Sequence, residues 1–134
     1  MPNACNLCHL DKSLAWTLVE LEKGWDKKIS LTGSLESLYG QGLQRPAGEA
    51  LLDHPFQAAR LVAASAYARS PIGKTVLPQL IGFLNEPNAY ARMRYLMSTE
   101  KVLGKKLSDD EYSLMGSPEL RKRQIQNLRS QNLP

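Results

Sequence analysis

The sequence predicts an all-α chain: a short helical repeat, or α-solenoid, preceded by a Cys-x-x-Cys-His segment and one helix. Three observations predict it. Apolar residues recur at three- and four-residue spacing. No alternating run of five or six residues argues for a strand. One proline-punctuated unit recurs at an offset of 32 residues.

The chain opens with Cys5-Asn6-Leu7-Cys8-His9. This spacing is that of c-type haem attachment: two thiols each add to one vinyl group of the porphyrin, and the following imidazole turns under the iron as proximal ligand. Cys5 and Cys8 are the two cysteines of the chain, so no other cysteine competes for the role. Zinc is the first alternative, but a closed zinc site needs a fourth ligand. The other histidine, His54, is far along the chain. A redox dithiol is the second alternative, and it usually stands beside a strand–helix unit that the sequence does not contain. Unused thiols are the third.

A helix follows, capped by Asp11 or Ser13 and running to about Trp25, since short polar side chains satisfy the first-turn amides. Leu14, Leu18, Leu21 and Trp25 form its apolar stripe, with Glu20, Glu22 and Lys23 largely off it. Trp16 lies two helical turns beyond His9, where it either packs on a porphyrin or packs against the first repeat. A polar connection over residues 26–34 leads to a short helix, Ser34 to Tyr39, stopped by Gly40 and Gly42.

The repeat comes next. Pro46, Leu51, Leu52, Asp53, Pro55, Ala59 and Arg60 recur in register as Pro78, Phe83, Leu84, Asn85, Pro87, Ala91 and Arg92. Each copy reads as a helix ending at Leu52 or Leu84, a turn begun by Asp53 or Asn85, and a second helix opened by Pro55 or Pro87. Ala58, Ala59, Ala63, Ala64 and Ala66 give the first copy a small-residue inner side. Pro46 and Pro78 fall near the starts or middles of the first helices, where they restart or kink them. A third, degenerate copy runs from Leu114 through Pro118 to Arg123, again five residues after the proline. Units of this kind stack, each burying the face its neighbour leaves open.

The unit resembles HEAT repeats, which have a proline-kinked first helix, a turn Asp or Asn, and an arginine early in the second helix; the resemblance covers about residues 38–128. Arg60 and Arg92 match that position and are expected to hold adjacent turns together. The stretch from Cys5 to Trp16, with Asp11-Lys12 after the histidine and then a tryptophan, resembles the last haem site of bacterial multihaem cytochrome c-family proteins. Some of these carry a HEAT-like tail, and the runs 66–73 and 88–94 fit such tails. The resemblance implies haem c on Cys5 and Cys8 with His9 on iron. It also implies an exported redox protein of which this chain is the C-terminal part, with partners that are other haem domains or a redox protein. Two domains are then expected: 1–33, attachment segment and helix, and 34–134, helical repeats.

The distal iron ligand is open. His54 is a candidate, yet it occupies the turn position that Glu86 fills in the next copy. Met93, Met97 and Met115 qualify by chemistry but are expected in the core. The start, Met1-Pro2-Asn3-Ala4, has no signal-peptide pattern. Haem c is attached outside the cytoplasm, so the expected origin is a longer periplasmic or extracellular protein. Made without export and maturation the chain would lack haem, and residues 1–9 would then form a loose tail.

Composition bounds the rest. A chain of 134 residues with 43% hydrophobic and 22% charged content is an ordinary globular size and make-up. No apolar stretch approaches the roughly 18 residues of a membrane span. A net charge of +4 is too small to argue for nucleic acid. No hydrolytic or acid–base constellation emerges; any enzymatic activity would be an oxidoreductase reaction of the parent protein. Asp109-Asp110-Glu111 is expected to cap a helix, and Gly73-Lys74-Thr75 lacks the first glycine of a phosphate loop. Arg121-Lys122-Arg123 is expected as a solvated helix face, or as a dock for an acidic partner. The competing function is a non-catalytic helical docking module.

Overall fold

The computed structural model describes residues 4–26 and 43–132, and every regular element among them is helical. The chain forms two compact units, Met1–Ala66 and Tyr67–Pro134. The short helix expected over 34–39, and the division expected at residues 33 and 34, lie outside the described residues.

The first unit contains α1 (Ala4–Cys8), α2 (Leu14–Trp25), α3 (Ala47–Leu52) and α4 (Gln57–Tyr67), the last ending on the first residue of the second unit. Of the two candidate caps for α2, Ser13 is the one used: its backbone is extended and its Oγ accepts from the Trp16 N–H at 3.1 Å. The helix ends on Asp26, whose N–H donates to the Glu22 carbonyl at 3.0 Å from a left-handed conformation, φ 50°.

Burial along the α2 stripe is graded. Leu14 is buried against Ala47, with Leu18 and Leu43 packed around them, whereas Trp25 is 68% exposed. The gradient arises because the N-terminal end of α2 is the tethered end. Ala15 N–H donates to Leu43 O at 3.0 Å, Ala47 N–H to Lys12 O at 2.9 Å and Gly48 N–H to Leu10 O at 3.0 Å. The corner between α1 and α2 is thereby bonded to the start of α3.

The segment expected as a loose tail is structured over residues 4–9. It forms one helical turn, closed by His9 N–H to Cys5 O at 2.8 Å and anchored by fully buried Asn6 and Leu10.

The second unit contains a 3₁₀ turn (Gly73–Val76), α5 (Leu77–Phe83), α6 (Ala89–Leu103) and α7 (Pro118–Asn132). Helix α5 packs on both α6 and α7, and Leu80, Ile81, Leu84, Ala91, Tyr95 and Leu128 fill the core. Gly73 is required there by crowding: a Cβ would collide with the carbonyl oxygen of Tyr67. That accounts for the glycine of Gly73-Lys74-Thr75 without a phosphate. Asn88 caps α6 through Oδ1, which accepts from Ala91 N–H at 3.1 Å, and Gly104 ends it at φ 72°.

The repeat has a common device, an arginine that binds carbonyls of the turn before its own helix. Arg60 Nη1 donates to His54 O at 2.8 Å and Pro55 O at 3.0 Å. Arg92 Nη1 donates to Glu86 O at 2.8 Å and Pro87 O at 2.7 Å, and its Nε and Nη2 reach Leu114 O at 3.3 Å. The two arginines hold turns together, as expected.

Several details differ from the sequence reading. Pro55 and Pro87 lie two residues ahead of α4 and α6, in the turn, where their carbonyls serve as acceptors for the arginines. Pro46 and Pro78 do stand where one of the two expected placements put them, at the starts of α3 and α5. Ala58 is exposed, whereas Ala59, Ala63, Ala64 and Ala66 are buried. In the third copy the arginine is Arg121, which donates from Nη1 to Gly116 O, while Arg123 is exposed. Arg121 is therefore buried rather than part of a solvated face, leaving Lys122 and Arg123 on the surface.

Residues 109–111 belong to a single turn and open no helix. Ser108 N–H donates to Glu111 Oε2 at 2.9 Å and Glu111 N–H to Ser108 Oγ at 3.3 Å, a reciprocal pair of cap bonds. Tyr112 then ties the turn down, its hydroxyl donating to Leu84 O at 2.6 Å; burial pushes that phenol's pKa up.

Candidate functional site

Helix α1 is one turn long, and its geometry sorts its side chains into two sides. At about 100° per residue, His9, Cys5 and Cys8 fall within an arc of about 100°, with Asn6 and Leu7 outside it. Burial follows this division: Cys5, Cys8 and His9 are exposed, Asn6 is buried and Leu7 is half-buried. No disulfide joins the two cysteines. The turn thus presents two thiols and one imidazole on one solvent-facing side.

Beside that side lies an open cleft of about 370 Å³, lined by Cys5 and His9 from the α1 turn and by residues of α2 that include Trp16, Leu21 and Trp25. Trp16 and Trp25 are the two tryptophans of the chain, and both line this cleft. The Trp16 indole packs on the His9 imidazole, with ring centroids 5.0 Å apart and planes inclined by 53°. Glu20 and Lys23 lie at the cleft as an exposed ion pair, 3.0 Å from nitrogen to oxygen. Asp11 and Lys12, which follow the motif, pair at 2.8 Å in solvent, and Lys12 holds the Asp11 carboxyl below its ordinary value.

This donor set fits covalent haem. Two exposed thiols at i and i+3 can each reach one substituent along an edge of a planar ring, the imidazole sits beside them, and indole and leucine side chains supply apolar wall. Among the described residues no three His, Cys, Asp or Glu side chains group to hold an ion.

The other candidates are elsewhere. His54 does not line the cleft; it is half-buried in the turn before α4, where its Nδ1 accepts from the Phe56 N–H at 3.0 Å. Met93, Met97 and Met115, expected in the core, are 36%, 51% and 77% exposed. Met93 and Met97 join Tyr90 on an exposed apolar stripe of α6.

The sequence reading missed Asn6 and Thr17. Asn6 is 0% exposed and Thr17 is 3% exposed, and the Thr17 hydroxyl donates to Asn6 Oδ1 at 3.1 Å. A spacer residue inside Cys-x-x-Cys carries no pattern that marks it for burial. The threonine at 17 interrupts an apolar stripe, which is the one sign the sequence offers. No helix among the described residues is long and apolar enough to cross a membrane. Compared with known protein families, with curated proteins and with solved structures, the chain finds no match.

Proposed function

We propose that this chain carries one haem c, attached through Cys5 and Cys8 with His9 as proximal iron ligand, and that it serves electron transfer. The observation that supports the reading most is the shared arc of Cys5, Cys8 and His9 on a single exposed turn beside a tryptophan-lined cleft. Each thiol would add across a vinyl group, forming a C–S and a C–H bond with no net oxidation or reduction. Haem c would supply reversible one-electron chemistry at iron. Trp16 would orient the His9 ring through their contact, and Trp25 and Leu21 would cover one edge of the cofactor.

In this proposal the chain is the C-terminal part of a larger exported multihaem cytochrome, periplasmic or extracellular, and its electrons pass to neighbouring haem domains or a redox partner. The helices from residue 47 on are HEAT-like repeats, a reading supported by the arginine-to-turn bonds that recur at residues 60, 92 and 121. The test is pigment retention. Matured protein extracted with acid acetone keeps its colour in the protein fraction; colour that leaves with the solvent, or none at all, contradicts the proposal.

A second reading, a docking module without a cofactor, has one observation in its favour. Tyr90, Met93 and Met97 expose an apolar stripe on α6, 62%, 36% and 51% accessible. It predicts the same behaviour for protein with and without Cys5 and Cys8.

A further inference from the structure

We infer that Asn6 is the positioning residue of the cofactor segment: its buried carboxamide fastens α1 to α2 in the haem-free chain, so that haem meets a preformed turn. The inference rests on the proposed function for what the turn is used for.

A five-residue helix does not hold itself together in water, because the nucleus alone costs more than one turn of hydrogen bonds returns. Something outside α1 must hold it. Within α1 the buried residue is Asn6, a polar one, so inside the turn itself the anchoring is by directed bonds, with buried Leu10 adding apolar anchorage just beyond it. Asn6 Nδ2 donates to the Lys12 carbonyl at 3.4 Å, and Oδ1 accepts from the Thr17 hydroxyl at 3.1 Å. That hydroxyl also lies 3.4 Å from the Ser13 carbonyl oxygen. Both ends of the carboxamide are therefore engaged, one by the loop after α1 and one by the first turns of α2.

Such bonds fix rotation as well as proximity. With Asn6 turned inward and bonded at both ends, the arc of His9, Cys5 and Cys8 is held toward solvent and the cleft. An apolar residue at position 6 could slide or roll on its neighbours; an amide whose two ends have different partners cannot without leaving a buried polar group unbonded. The same bonds bring Trp16, adjacent to Thr17, to the His9 ring.

The test is amide hydrogen exchange on haem-free protein, read at His9, whose N–H is bonded to Cys5 O. Asn6→Ala is expected to speed exchange there by roughly tenfold or more, the consequence of losing a buried bonded group. Thr17→Val keeps the side-chain shape, removes the donor to Oδ1, and is expected to act in the same direction. Exchange at Tyr95 and Thr99, in the core of the second unit, should not change in either variant. Exchange at His9 that is indifferent to both substitutions, or unprotected in the wild type, overturns the inference. Failure of the haem proposal reads out separately, as an unmodified mass after competent maturation. That result with His9 exchange still sensitive to Asn6 supports the lock and removes only its cofactor. Retained pigment with insensitive exchange overturns the lock alone.

Discussion

The indole of Trp16 lies against the imidazole of His9, ring centroids 5.0 Å apart. The contact joins the residue that ends the Cys-x-x-Cys-His motif to a helix that begins only after the loop. It exists because Ser13 starts α2 at a fixed point and Asn6 holds the preceding turn beside it. Trp16→Leu is expected to lower stability by about 1 kcal/mol, the typical value of an aromatic contact beyond its area. Urea unfolding of the haem-free protein, with an unchanged slope, measures it.

Replacing both thiols should separate cofactor from fold. Cys5 and Cys8 are exposed and unbridged, so Cys5→Ala with Cys8→Ala is expected to change stability by no more than about 0.5 kcal/mol. Helical circular dichroism should be retained and pigment abolished after expression with maturation. Loss of helix on this substitution would mean that the remainder depends on the motif.

Arg92 should matter most among the repeat arginines. It is 5% exposed and its guanidinium bonds three carbonyls, those of Glu86, Pro87 and Leu114. Arg92→Ala removes a buried guanidinium, leaves these partly buried acceptors without their charged partner and is expected to cost about 1–3 kcal/mol, measured by denaturant unfolding. Arg92→Lys should recover little, because one ammonium cannot span the turn and Leu114 together. Arg60, half-buried and bonded to the turn before α4, should be less sensitive.

Glu111 predicts a pH dependence. The Lys105 ammonium, 2.5 Å away, and the Ser108 N–H hold its carboxyl down to about 2 from an ordinary 4.5. A depressed acid stabilises the fold above its unfolded value and loses that contribution as pH falls through the folded one. The turn at 108–112 should therefore stay closed to near pH 4.5 and loosen between there and about 2. The Glu111 side-chain carbon shift, followed by NMR on acidification, reads the titration directly. Glu111→Gln should remove the dependence in that window.

The elements most legible in the sequence are those with a local signal. A choice of two caps, Asp11 or Ser13, before an apolar stripe marked the start of α2 to within two residues, and the paired Asp53/Asn85 turns and Arg60/Arg92 marked the two helix pairs. What misled were features that local pattern cannot phase. Pro118 marked the third copy, but the arginine there answers to the Gly116 carbonyl, and five residues from that glycine gives Arg121. Met93 and Met97 have helical spacing, yet they lie on the face of α6 opposite buried Tyr95 and Thr99. In the candidate site, the spacing of Cys5, Cys8 and His9 made their placement on one side of a turn legible. Asn6 and Thr17 were not, because a buried polar pair depends on which helices meet, and that is a tertiary fact.

The most direct measurement is intact mass with a visible spectrum, after expression in a host that exports the chain and attaches haem. The account predicts a gain of one haem mass and a sharp α-band on reduction, both lost in the Cys5→Ala, Cys8→Ala protein. An unmodified mass from a host that matures a control cytochrome in parallel would contradict it.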